Sequence, residues 1–72
     1  MKTFRHTEKN GTIRIFNPMF ITDVKLTTSE YADAWCIVIS FKDRSTPYTI
    51  NYTNKDNALA GLEEINECLE SI

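Results

Sequence analysis

Short stretches rich in β-branched and aromatic residues, separated by turn signals, make up the chain to Tyr52, and beyond Thr53 the apolar positions recur at spacings of three and four. A period of two is the mark of strands with one buried face, and the longer period that of an amphipathic helix. Residues 3–8 read as a ragged strand and 12–16 as a better one. Asn10-Gly11 between them suits a two-residue type I′ turn, in which both central positions take positive φ. Asn17-Pro18 interrupts the run, because proline has no N–H for a ladder and biases the residue before it toward extended geometry.

A third strand is expected from Met19 to about Thr27, followed by a polar loop over 28–33. Residues 34–42, rich in β-branched and aromatic side chains, give the clearest strand. A turn at Asp43-Arg44-Ser45-Thr46 leads into a strand over 47–52, with Pro47 at the first position, where a sheet tolerates it. Thr53-Asn-Lys-Asp56 has the form of a capping box, with the Thr53 hydroxyl as cap. In the helix that follows, Ala58, Leu62, Ile65, Leu69 and Ile72 form the apolar stripe, Leu59 widens it, and Glu63, Glu67 and Glu70 lie opposite. The fold class is therefore α+β: an antiparallel sheet of four or five strands with one C-terminal amphipathic helix packed on one face.

The stretch from Trp35 to Tyr52 holds four aromatic rings, and alternation decides which way they point. With Lys42 opposite Pro47, Phe41 faces Tyr48, Ile39 faces Ile50, and Ile37 faces Tyr52, with Trp35 extending the row. This face is the natural seat for the only helix. The same alternation assigns Phe20, Thr22, Val24 and Leu26, and also Ile13 and Ile15, to the helix side. Left on the outer face are Phe16, Met19, Ile21, Cys36 and Val38, mixed with Arg14, Asp23, Lys25, Ser40 and Lys42. A contiguous apolar patch on an open sheet marks a partner site, so these five residues are the candidate partner-binding set, for another protein or for a second copy in a homodimer. Two alternatives stand beside it: residues 1–8, with Phe4, fold over the patch, or an unpaired sheet edge recruits a second copy by strand addition.

Length changes the picture by limiting the core. The 72 residues make one small domain, 1–72, and chains of this size bury only roughly 60% of the surface they expose when unfolded. With 42% hydrophobic and 25% charged residues, the composition is that of a folded globular chain. A net charge of −2 offers no general field for gathering phosphates or anionic lipid. The charge is uneven, however: Lys2, Arg5, Lys9, Arg14 and Lys25 outnumber Glu8 and Asp23 in the first 27 residues, whereas Asp43, Asp56, Glu63, Glu64, Glu67 and Glu70 outnumber Arg44 and Lys55 after residue 42. No membrane-spanning run or signal-peptide core occurs, so a cytoplasmic setting is expected.

Candidate chemistry is sparse. His6 is the only histidine, and the helix carboxylates are expected to face water, so no nucleophile, base and orienter converge. Metal-ligand spacings and a glycine-rich phosphate loop are both missing, and no cofactor is expected. Cys36 and Cys68 are expected on opposite sides of the sheet as reduced, buried thiols. Gly61, costly inside a helix by about 1 kcal/mol, is expected where the helix approaches the sheet closely.

These observations favour a small non-enzymatic protein-interaction or regulatory module, possibly a homodimer, acting through the outer sheet face. The alternative is a single-stranded nucleic-acid-binding protein using Arg14, Phe16, Lys25 and Lys42 as a stacking-plus-phosphate surface.

Overall fold

In the computed structural model, which describes residues 2–28 and 34–72, five strands precede one helix. They are β1 (Phe4–Thr7), β2 (Ile13–Phe16), β3 (Ile21–Thr28), β4 (Trp35–Phe41), β5 (Tyr48–Tyr52) and α1 (Lys55–Glu70). The α+β class is as the sequence predicts, with a difference in the sheet: β3-β4-β5 form one antiparallel sheet and β1-β2 a separate antiparallel hairpin. The polar loop expected over 28–33 lies largely outside the described residues, with only Thr28 seen, as the last residue of β3.

The division into two sheets has a local cause. After β2 the chain makes a 3-10 turn over Pro18–Phe20, capped by the Asn17 side chain, which accepts from the Met19 N–H. The β3 strand therefore starts at Ile21 and not at Met19. Phe20, expected under the helix, is left 44% exposed in the turn. The hairpin is set off from the larger sheet by this turn, and it packs Phe4 and Phe16 onto that sheet. The two rings stack at 6.0 Å, and Phe16 lies 5.4 Å from Phe41 and 5.0 Å from Tyr48. By alternation Ile13 and Ile15 then face away from the sheet, 49% and 65% exposed, and not toward the helix as expected.

The hairpin loop also differs from the two-residue form. Among the described residues Gly11 alone has positive φ, at +90°, so Asn10 does not take the type I′ conformation. Instead the Gly11 N–H donates to the Glu8 carbonyl and the Glu8 N–H to the Thr12 carbonyl, which makes Lys9, Asn10 and Gly11 a three-residue loop with glycine in the left-handed position.

Register in the larger sheet is Trp35 with Tyr52, Ile37 with Ile50, and Ile39 with Tyr48. This is shifted by two residues from the expected pairing. A shift of two preserves the face of every side chain. The row Trp35, Ile37, Ile39, Phe41, Tyr48, Ile50 and Tyr52 therefore still lies toward the helix side, with Ile37, Ile39 and Ile50 almost wholly buried. In β3, Ile21 pairs with Phe41 but Asp23 with Ser40, so Thr22 is an extra residue in a β-bulge. The bulge reverses alternation at its N-terminal side. Ile21 consequently joins Val24 and Leu26 against the core, contrary to the outward position expected for it.

The α1 cap is Asn54, whose side chain accepts from the Asn57 N–H, and the helix begins at Lys55, not at a Thr53 capping box. No helix among the described residues is long and apolar enough to cross a membrane.

Candidate interaction groove

The site follows from how α1 is rotated about its own axis. Its buried positions are Ala58, Gly61, Ile65 and Cys68, spaced three, four and three residues apart. This stripe is displaced around the helix from the expected Ala58/Leu62/Ile65/Leu69/Ile72 set. Small residues at the contact let α1 lie close on β4 and β5. A Cβ on Gly61 would meet the Tyr52 ring carbon Cζ at 2.8 Å and Ile37 Cδ1 at 3.3 Å, so the absence of a side chain there is a steric requirement. The larger Leu62 and Leu69 are consequently displaced onto the flank, where they remain half-buried.

That flank faces β3. Between them runs an open groove of about 490 Å³, lined by Leu62, Glu63, Ile65, Asn66 and Leu69 from α1 and by Ile21, Thr22, Asp23 and Val24 from β3. Asp23 points to the outer face, opposite Ser40, so its place in the lining means that the backbone edge of β3 forms the wall there. β3 is the end strand of its sheet and has no partner on that side among the described residues. The groove thus combines an apolar floor of Val24, Ile65 and the two leucines with a peptide edge unpaired among the described residues and, on the helix rim, Glu63.

On the opposite, β5 flank of α1 the N-terminal hairpin covers part of the helix side of the sheet. There the hairpin lies over Phe41 and Tyr48, and its contact ends in a polar clamp. Glu8 Oε1 accepts from Arg14 Nε and, at 2.9 Å, from the Tyr48 hydroxyl. Arg14 also lies over the Tyr48 ring at 5.3 Å, and His6 meets that ring edge-on at 6.2 Å. The Arg14 and Tyr48 hydrogen bonds hold the Glu8 carboxyl below the usual carboxylate range. Burial, reinforced by Glu8, raises the Tyr48 phenol, and burial, helped by Glu64, raises that of Tyr52. Glu8 is thus held ionised and the two tyrosines protonated, which fixes a contact and primes none of them to transfer a proton at neutral pH. Among the described residues no three of His, Cys, Asp and Glu come together as a metal-binding group.

The residues expected to bind a partner are dispersed. Phe16 is 4% exposed within the core, and Ile21 packs inward. Met19, 53% exposed, belongs to the 3-10 turn and not to the sheet face. Only Cys36 and Val38 occupy the outer face, Cys36 buried with its thiol donating to the Thr27 carbonyl, and Val38 between Lys25 and Thr49. Residues 4–7 do not cover that face, since they form β1 of the hairpin on the helix side. Cys36 and Cys68 are both free and buried.

The nucleic-acid quartet is likewise separated. Arg14 is engaged by Glu8 and Tyr48, Phe16 is buried, and Lys25 and Lys42 are exposed at β3 and just beyond β4. Among the described residues these four side chains do not share one surface. The groove itself is not visible from helical spacing alone, which assigns Leu62 and Leu69 to the apolar stripe; the signal pointing to it is Gly61, because a helix that needs glycine against the sheet turns its bulky neighbours aside. Comparison with protein families, characterised proteins and solved structures returns no match.

Proposed function

We propose that the chain is a small non-enzymatic protein-interaction or regulatory module, cytoplasmic in setting, that docks a partner along the β3 edge and the groove beside α1. The observation that carries this reading is the coincidence of a strand edge unpaired among the described residues with half-buried leucines in one continuous groove. Backbone groups along a sheet edge supply hydrogen bonds to an added strand, and a neighbouring apolar channel accepts its alternate side chains. The outer sheet face, with only Cys36 and Val38 as apolar members and one of them buried, gives much less support to docking. Two buried free thiols suit a reducing compartment.

The test compares three baits in quantitative affinity capture: the wild-type chain, Leu62→Glu in the groove, and Val38→Lys on the outer face. Thermal melts establish first that all three are folded. Proteins enriched by the wild type should be lost with Leu62→Glu and retained with Val38→Lys. Capture unaffected by Leu62→Glu, or lost only with Val38→Lys, contradicts the groove as the docking site.

A further inference from the structure

Resting on that reading, we infer that the groove's occupant is a second copy of this chain, added antiparallel at β3 so that two three-stranded sheets become one of six strands about a two-fold axis at Val24. The argument comes from the charges on the strand edge. Asp23 and Lys25 are both exposed, and both point to the outer face, opposite Ser40 and Val38 of β4. A two-fold axis perpendicular to the sheet keeps both helices on one side, and it requires directly opposed residues to share a face.

Three neighbouring two-fold registers centre on this part of β3, and the Thr22 bulge confines opposed residues that share a face to those from Asp23 onward. An axis at Asp23 opposes two carboxylates, and one at Lys25 opposes two ammonium groups. An axis at Val24 places Asp23 of each chain opposite Lys25 of the other, so both cross-strand pairs are attractive, with Val24 facing its own copy on the helix side. The edge is therefore complementary to itself in one register and repulsive in the two beside it, which is how paired edges specify their alignment.

The same operation accounts for the half-buried leucines. With both helices on one face, the two grooves meet at the axis and become one channel, floored by Val24 and flanked by Leu62 and Leu69 of each chain. Closing it removes apolar surface from water at four leucines together. Glu63 is the opposing element, since the axis brings two exposed carboxylates to the same rim.

Complementary charge reversal tests this register. Asp23→Lys leaves only cations at the two positions and Lys25→Asp only carboxylates, so each variant alone should associate at least about tenfold more weakly than the wild type. An equimolar mixture of the two should recover the wild-type mass, twice that of one chain, because every opposed pair is again of opposite sign. Sedimentation equilibrium of the wild type, each variant and the mixture reads the outcome, with circular dichroism confirming that all are folded. A wild type that stays at single-chain mass to its solubility limit overturns the inference, as does a mixture that associates no better than its components. If the wild type is monomeric yet its captured partners still depend on Leu62, the self-pairing fails and the interaction-module reading stands. If capture is also indifferent to Leu62, both fail.

Discussion

The two flanks of α1 are finished differently. Toward β5 the hairpin closes the core with Phe4 and Phe16 stacked on Phe41 and Tyr48, and the Glu8–Arg14–Tyr48 clamp fastens its rim. Toward β3 the helix ends in Leu62 and Leu69 over a strand whose outer edge is unpaired among the described residues. Both flanks carry apolar side chains. On one they are largely covered by the chain's own N-terminal segment, which leaves a shallower opening of about 390 Å³ beside Gly61, and on the other they line a groove of about 490 Å³. Stability in so small a domain should therefore depend on the covered flank, leaving the open one free to be altered for binding.

Phe16→Ala should separate the flanks most strongly. It empties a site 4% exposed, surrounded by three rings, and is expected to cost about 3–5 kcal/mol. Measured by urea unfolding, that is a large part of the stability of a small domain. An intermediate effect belongs to Gly61→Val, which drives a branched side chain against Tyr52 and Ile37 and should cost about 2–3 kcal/mol despite the better helix propensity of valine. On the open flank, Leu62→Ala removes a half-buried side chain and is expected to cost about 1 kcal/mol. A loss at Leu62 equal to that at Phe16 would show that the groove is as integral to the core as the hairpin contact.

The smallest effect should be the pH dependence of the clamp. The Glu8 pKa is depressed in the folded chain, mainly by Arg14 and then by Tyr48. A depressed carboxyl stabilises fully above its unfolded pKa and ceases to do so as pH falls through the folded value. Thermal melts of wild type and Glu8→Gln should therefore differ near neutrality and converge in acid, as pH falls below the ordinary carboxylate range and through the depressed folded value. A difference that persists or grows in acid would assign the clamp's contribution to something other than the ionised carboxylate.

Sequence pattern located the strand segments, the terminal helix by its three-and-four spacing, and the inward row from Trp35 to Tyr52 by alternation, because a buried face imposes a period of two whatever the register. That insensitivity is why the pairing could be displaced by two residues without moving any ring to the other face. What alternation could not carry was anything that adds or removes a residue or turns a unit as a whole. The Thr22 bulge reversed Ile21, the 3-10 turn exposed Phe20, and the rotation of the hairpin buried Phe16 while exposing Ile13 and Ile15. The candidate site depended on just those residues, so it moved from the outer sheet face to the flank of the helix. Gly61 did signal a close approach, yet its consequence for Leu62 and Leu69 requires the rotation of α1, which leucine spacing alone places elsewhere.

Native-state amide exchange, followed residue by residue over a range of protein concentrations, tests the openness of the β3 edge most directly. Outward-pointing amides within Ile21–Thr28 should gain protection as concentration rises, while those of Phe4–Thr7 and Tyr48–Tyr52 stay unchanged. Protection of β3 that is already complete in dilute solution and indifferent to concentration would contradict an open edge that pairs with its own copy.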